Sequence, residues 1–183
     1  MRPIARDPFS HLINLAQRSC RMSSHNVATL KRIDAEDLRD LLLSSKSSTV
    51  AVVDVRDDDH VGGHIRGSLH VPMSSLDWRT PEIIRKLASK QVVVFHCALS
   101  QQRGPTAALR YLRERQEKAD KGQLPDGVAV AEGEHTCEGQ RSGSEKPAQE
   151  VYVLDRGFVG WQHKYGRDER LTEAYAPDIW EDE

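Results

Sequence analysis

Three short stretches of this chain are apolar at consecutive positions rather than alternate ones: Val50-Ala51-Val52-Val53-Asp54-Val55, Gln91-Val92-Val93-Val94-Phe95 and Val151-Tyr152-Val153-Leu154. A strand with one wet face alternates polar and apolar side chains. A run that is apolar throughout predicts a strand covered on both faces. Helical patterns separate these runs, so the chain reads as α/β, a mostly parallel sheet flanked by helices. Ligands of such sheets bind beyond the carboxyl ends of the strands. Asp54, Cys97 and Asp155 stand at those ends, which predicts a single crevice that all three face.

Local signals fill in the connections. Asp34 can cap a helix with acids in its first turn, Ile33 can staple onto Leu38, and the helix should run to about Leu43. Ser44–Thr49 reads as a polar loop. Asp57-Asp58-Asp59 breaks the first apolar run and reads as a solvated loop. Gly62–Gly67 is turn-rich, and Ser68-Leu69-His70-Val71-Pro72 is a short strand ended by proline. Thr80-Pro81-Glu82 predicts a helix start with proline at the first position, leading into Ile83–Lys90. Pro105 pre-sets a further helix from Gly104, with Ala108, Tyr111 and Leu112 on one face.

The chain has 183 residues, 38% of them hydrophobic, which suits one domain with a modest core. Residues 1–26 form a basic extension, with Arg2, Arg6, Arg18 and Arg21 against one acid, Asp7. Two readings stand for it: a disordered tail or a mitochondrial transit peptide. The catalytic domain is expected over 27–165, with a flexible insertion at about 117–150 where apolar periodicity stops. Residues 166–183 are expected as a C-terminal tail. The formal net charge of −2 argues against general affinity for nucleic acid or anionic membranes. No apolar run approaches the roughly 20 residues of a membrane span. Cys20, Cys97 and Cys137 are widely spaced with no CxxC pair, so a disulfide framework and a zinc knuckle are both disfavoured. The compartment is read as reducing and intracellular, cytoplasmic or nuclear, or mitochondrial if the basic extension is a transit peptide. His64 and His70 lack metal-ligand spacing with other ligands, so no metal is expected.

The chemistry concentrates in His96-Cys97-Ala98-Leu99-Ser100-Gln101-Gln102-Arg103-Gly104-Pro105. A nucleophile opens a loop after a buried strand, and a bidentate cation closes it at a helix N-terminus. The helix dipole and free N–H groups favour a thiolate there. Five intervening residues are enough for the backbone to curl round an anion, with the amides of Ala98, Leu99, Ser100, Gln101, Gln102 and Arg103 pointing inward. Arg103 offers a planar fork that matches two oxygens of phosphate or arsenate, which a lysine does not. His96 either supports the thiolate through the loop or is a half-buried structural histidine. Asp54 either supplies a proton to the leaving group or forms an ion pair with Arg56, the latter preferred.

On these residues the loop resembles that of the cell-division-cycle dual-specificity phosphatases, which share the rhodanese fold. It is more similar still to the small fungal members of that group, arsenate reductases and phosphatase relatives. Asp54-Val55-Arg56, then Gly63-His64-Ile65-Arg66-Gly67-Ser68 with His70-Val71-Pro72, and Leu154-Asp155-x-Gly157-Phe158-x-x-Trp161 resemble rhodanese landmarks in the correct order. The resemblance implies a five-stranded central sheet, Cys97 as nucleophile and Arg103 as oxyanion clamp. It implies a phosphatase of phosphotyrosine or small aryl phosphates, an arsenate reductase, or both. No bound cofactor is implied, and glutathione or glutaredoxin would be the reductant. Sulfurtransferases of the fold use a loop one residue shorter, so the length favours the tetrahedral oxyanion. A sulfurtransferase and a non-catalytic oxyanion or protein-binding module remain the alternatives. The sequence departs from the group at Ala98 and Gln102, where the cell-cycle phosphatases carry acids, and at Arg156, where glycine is usual. The general acid is thus unassigned, with Asp54 and Asp57–Asp59 as candidates. Cys137 reads as an idle surface thiol, with a resolving role as the alternative.

Overall fold

The computed structural model describes residues 26–124 and 148–180. The basic extension, most of the expected insertion, Cys20 and Cys137 lie outside the described residues. In chain order the elements are β1 (Lys31–Ile33), α1 (Ala35–Leu43), β2 (Val50–Asp54), β3 (His64–Ile65), β4 (Leu69–His70), α2 (Leu76–Lys86), β5 (Val92–His96), α3 (Arg103–Asp120), β6 (Glu150–Leu154), α4 (Gly157–Tyr165) and β7 (Thr172–Glu173). Five strands form a parallel sheet in the order β1-β6-β5-β2-β4, the α/β architecture read from the apolar runs.

Strand alternation divides the core into two layers. Val53, Val55, Val93, Phe95 and Cys97 point to one face and pack on Ile83 and Ile84 of α2 and on Ala107, Ala108 and Tyr111 of α3. Val50, Val52, Val94 and Leu154 point to the other and pack on Leu38 of α1 and on Phe158 and Trp161 of α4. Each fully buried Val, Leu, Ile or Phe among them contributes roughly 1.5–3 kcal/mol. Asp34 caps α1 as its sequence suggests, accepting from the Asp37 N–H at 2.8 Å.

Two expectations are corrected. The helix expected to begin at Pro81 begins at Leu76, and Pro81 sits inside it. Leu76, Ile83 and Ile84 share its buried face, and burying Leu76 outweighs the proline signal. Proline has no N–H for the carbonyl four residues back. That carbonyl, of Asp77, instead accepts from Arg110 Nη2 at 3.2 Å. The expected C-terminal tail is packed from residue 166 to 180. β7 pairs antiparallel with β3, Leu171 is buried, and Trp161 Nε1 donates to Thr172 Oγ1 at 3.0 Å. Trp180 Nε1 donates to the Gly62 carbonyl at 2.9 Å, closing the turn-rich segment against this end of the chain.

Candidate active site

β5 delivers Cys97 to the carboxyl edge of the sheet, and the loop from Cys97 runs directly into α3 at Arg103. Cys97 is 4% exposed. Ser100 adopts a left-handed backbone, φ +52°, which turns the loop back on itself. Its N–H consequently points at the sulfur, donating to Cys97 Sγ at 3.2 Å. The first N–H groups of α3 have no partner within the helix, as at any helix start.

The outer wall of the loop is fixed by α4. The N–H groups of Phe158 and Val159 donate to the carbonyls of Cys97 and Ala98, each at 2.9 Å. A Cβ on Gly157 would lie 2.4 Å from both carbonyl oxygens, and its φ is +56°, so this approach requires glycine. Arg156 shares the left-handed conformation at φ +57°, a backbone geometry that glycine adopts more easily than arginine. Its side chain lines a groove of about 800 Å³ with Arg32, Leu99, Ser100, Gln101 and Val159, so it adds positive charge beside the loop.

The three groups expected to share one crevice separate. Cys97 is in the loop. Asp155 is at the groove edge, half exposed and paired with Arg32 Nη1 at 3.1 Å. Asp54 is fully buried, the ion-pair partner that the sequence favoured: Arg56 approaches it through Nε at 2.9 Å and Nη2 at 2.7 Å. Arg56 Nη2 also donates to the Gly63 carbonyl at 2.8 Å, and its guanidinium lies 4.2 Å from the Phe158 ring centroid. Burial alone would push the Asp54 carboxyl up, but the nearby His96 and Arg56 outweigh it and hold it below the usual range. A carboxyl held this way is not a proton donor at neutral pH.

His96 is fully buried, not half-buried. One residue before Cys97, it faces the opposite side of the sheet, with Nε2 3.7 Å from Asp54 Oδ2 and its ring beside Phe158. Its Nδ1 lies 3.3 Å from the Cys97 carbonyl, so it meets the loop through the backbone.

The acidic loop after β2 is the larger surprise. Asp57 and Asp59, expected as solvated loop residues, hold the active-site arginine. Arg103 Nη1 donates to Asp59 Oδ1 at 2.6 Å and Nη2 to Asp59 Oδ2 at 2.5 Å, with Asp57 Oδ2 3.3 Å from Nη1. The hydrogen bonds from Arg103 hold the Asp59 carboxyl down at about 2. Burial opposes the shift at Asp57, but the Ser74 N–H and Arg103 lower it too. The parallel pairing of β2 with β5 brings the loops that follow them to one sheet edge.

These groups set how stability responds to acid. Burial lowers His60 to about 4 and also lowers His96. In the unfolded chain histidines titrate near ~6.5 and aspartates near ~3.9. The unfolded chain therefore binds more protons than the fold, first through the histidines as pH falls from ~6.5 toward 4 and then through the aspartates below that. Stability should fall monotonically on acidification, and thermal melts between pH 7 and pH 3 check it. His60→Gln should flatten the upper part of that slope; an unchanged slope would exclude His60 as a contributor.

Among the described residues no group of His, Cys, Asp and Glu is placed to hold a metal ion, and no helix is long and apolar enough to cross a membrane. The family description "Rhodanese-like domain" matches residues 34–164. The CDC25-like phosphatase YCH1 of Saccharomyces cerevisiae is 33% identical over 174 residues, spanning 87% of this chain and 99% of that protein. Arsenate reductase 2.2 of Oryza sativa subsp. japonica is 35% identical over 117 residues, 62% of this chain and 69% of that protein. The solved structure of Ygr203w, described as a yeast protein tyrosine phosphatase of the rhodanese family, superposes with a TM-score of 0.57 at 31% identity, covering 82% of this chain and 96% of that one.

Proposed function

This chain belongs to the rhodanese-like domain family, and we propose that it is a Cys97-dependent phosphatase of aryl phosphates, phosphotyrosine included, that also reduces arsenate. The observation that carries the reading is the loop itself, with the Ser100 N–H on the Cys97 sulfur and Arg103 opening α3 six positions later. Similarity to proteins named as phosphatases and as arsenate reductases supports both halves.

In the phosphatase reaction the thiolate attacks phosphorus as the bond to the aryl oxide breaks, the aryl oxide takes its proton from water, and a second water hydrolyses the phosphocysteine to inorganic phosphate and the free thiol. Charge grows on the non-bridging oxygens during the attack, where the loop amides and Arg103 can hold it. With Asp54 locked to Arg56, acidic leaving groups that depart without full protonation should react best. In the arsenate reaction the thiolate displaces hydroxide from arsenic to give an arseno-cysteine adduct. An external thiol, glutathione or a glutaredoxin, attacks the adduct and releases arsenite, leaving a mixed disulfide on Cys97. A second thiol restores the cysteine and leaves as the disulfide. Arsenic gains the two electrons that the two thiols lose. A nucleophilic cysteine of this kind needs a reducing, intracellular setting.

Purified protein should hydrolyse para-nitrophenyl phosphate and, with glutathione present, convert arsenate to arsenite. Absence of both activities refutes the reading. Faster transfer of sulfur from thiosulfate to cyanide than either reaction would replace it with a sulfurtransferase.

A further inference from the structure

We propose that Asp59 is a built-in competitor for the substrate oxyanion, so that a tetrahedral dianion binds by displacing Asp59 from Arg103; the inference rests on the reading of the loop as an oxyanion site. A guanidinium presents its best fork to a single pair of oxygens. Asp59 occupies that fork with both of its oxygens, one on each terminal nitrogen, at 2.6 and 2.5 Å. A phosphoryl or arsenate group that takes the same two nitrogens must displace Asp59.

The carboxylate is positioned in advance of any substrate. Asp59 Oδ1 accepts from the Asp57 N–H at 3.0 Å, and Asp57 Oδ1 accepts from the Ser74 N–H at 3.0 Å, which tethers the acidic turn to the segment before α2. The pair is also open to water, with side chains about a third exposed at Arg103 and 40% at Asp59. An exposed pair of this kind is worth little and exchanges readily. A single carboxylate carries one negative charge. A monoester or arsenate dianion carries two and can win the fork, whereas a monoanion such as a phosphodiester competes on equal terms and gains nothing. Asp59 thus sets a charge threshold on what the loop accepts, and acts as a positioning residue through Arg103.

The test is Asp59→Asn, which keeps the oxygen that caps the Asp57 N–H and removes the charge. KM for para-nitrophenyl phosphate and for arsenate should fall by about two- to fivefold with far less change in kcat. Inorganic phosphate, titrated calorimetrically into Cys97→Ser with and without Asp59→Asn, should bind about two- to fivefold tighter in the double variant. Asp57→Asn, which loses only the longer contact, should give a smaller gain, and Asp59→Glu, with its charge retained, should stay near wild type. Matching melting curves confirm that each variant is folded. Unchanged or weaker phosphate binding in the folded Asp59→Asn variant overturns the proposal. So does an effect confined to kcat, which would make Asp59 a proton donor. Tighter phosphate binding in a protein without turnover would support this inference while refuting the enzymatic reading.

Discussion

Cys97→Ser is expected to lower kcat/KM for para-nitrophenyl phosphate by about 10⁴-fold or more while leaving the fold and phosphate binding intact. The size follows from what surrounds residue 97. A serine hydroxyl attacks only when a base takes its proton. His96 faces the other side of the sheet toward Asp54, and Asp54 is bound by Arg56, so neither can serve as that base. The side chain at 97 is nearly buried and a serine oxygen fits the space, accepting the Ser100 N–H in place of the sulfur. Turnover is therefore the property that is lost, and the same variant serves for the binding titrations above. Steady-state kinetics beside a melting curve separate the two.

The second large effect is on stability. Asp54 and Arg56 are both fully buried, and removing one partner leaves the other charged, unpaired and out of water. Arg56→Met and Asp54→Asn should each cost about 3–5 kcal/mol. For a domain of this size that lowers the melting temperature by roughly 10–15 °C. Arg56→Met also removes the guanidinium from the Phe158 ring and the donor to the Gly63 carbonyl, so it should be the worse of the two. The double replacement Asp54→Leu with Arg56→Met should cost clearly less than the sum, because no lone buried charge remains. Equal and additive losses would show that the pair is not coupled.

What could be read in the sequence was set by how local its causes are. Uninterrupted apolar runs imply strands covered on both faces, and the parallel α/β sheet follows. A cysteine after such a strand and an arginine at the next helix start lie within one short loop, so the nucleophile and the cation were legible together. For His96 the sequence left a supporting and a structural role open, because its contact with the Cys97 carbonyl depends on side-chain geometry. The start of α2 was missed because the face shared by Leu76, Ile83 and Ile84 outweighs the punctuation at Pro81. The packing of residues 166–180 was missed because it depends on contacts with a distant turn: β7 meets β3, and Trp180 meets Gly62, across more than a hundred positions of chain. Asp57 and Asp59 read as solvated because their partner, Arg103, lies 46 and 44 positions away and is brought close only by the register of β2 beside β5.

The most direct measurement of the central claim is the covalent intermediate. Protein mixed with an aryl phosphate, quenched in acid within a turnover and digested, should yield the peptide containing Cys97 with the added mass of one phosphoryl group. The peptides containing Cys20 and Cys137 should carry none, and the adduct should be missing from Cys97→Ser. Turnover without that adduct, or with the phosphoryl group on another residue, would contradict the assignment of Cys97 as the nucleophile.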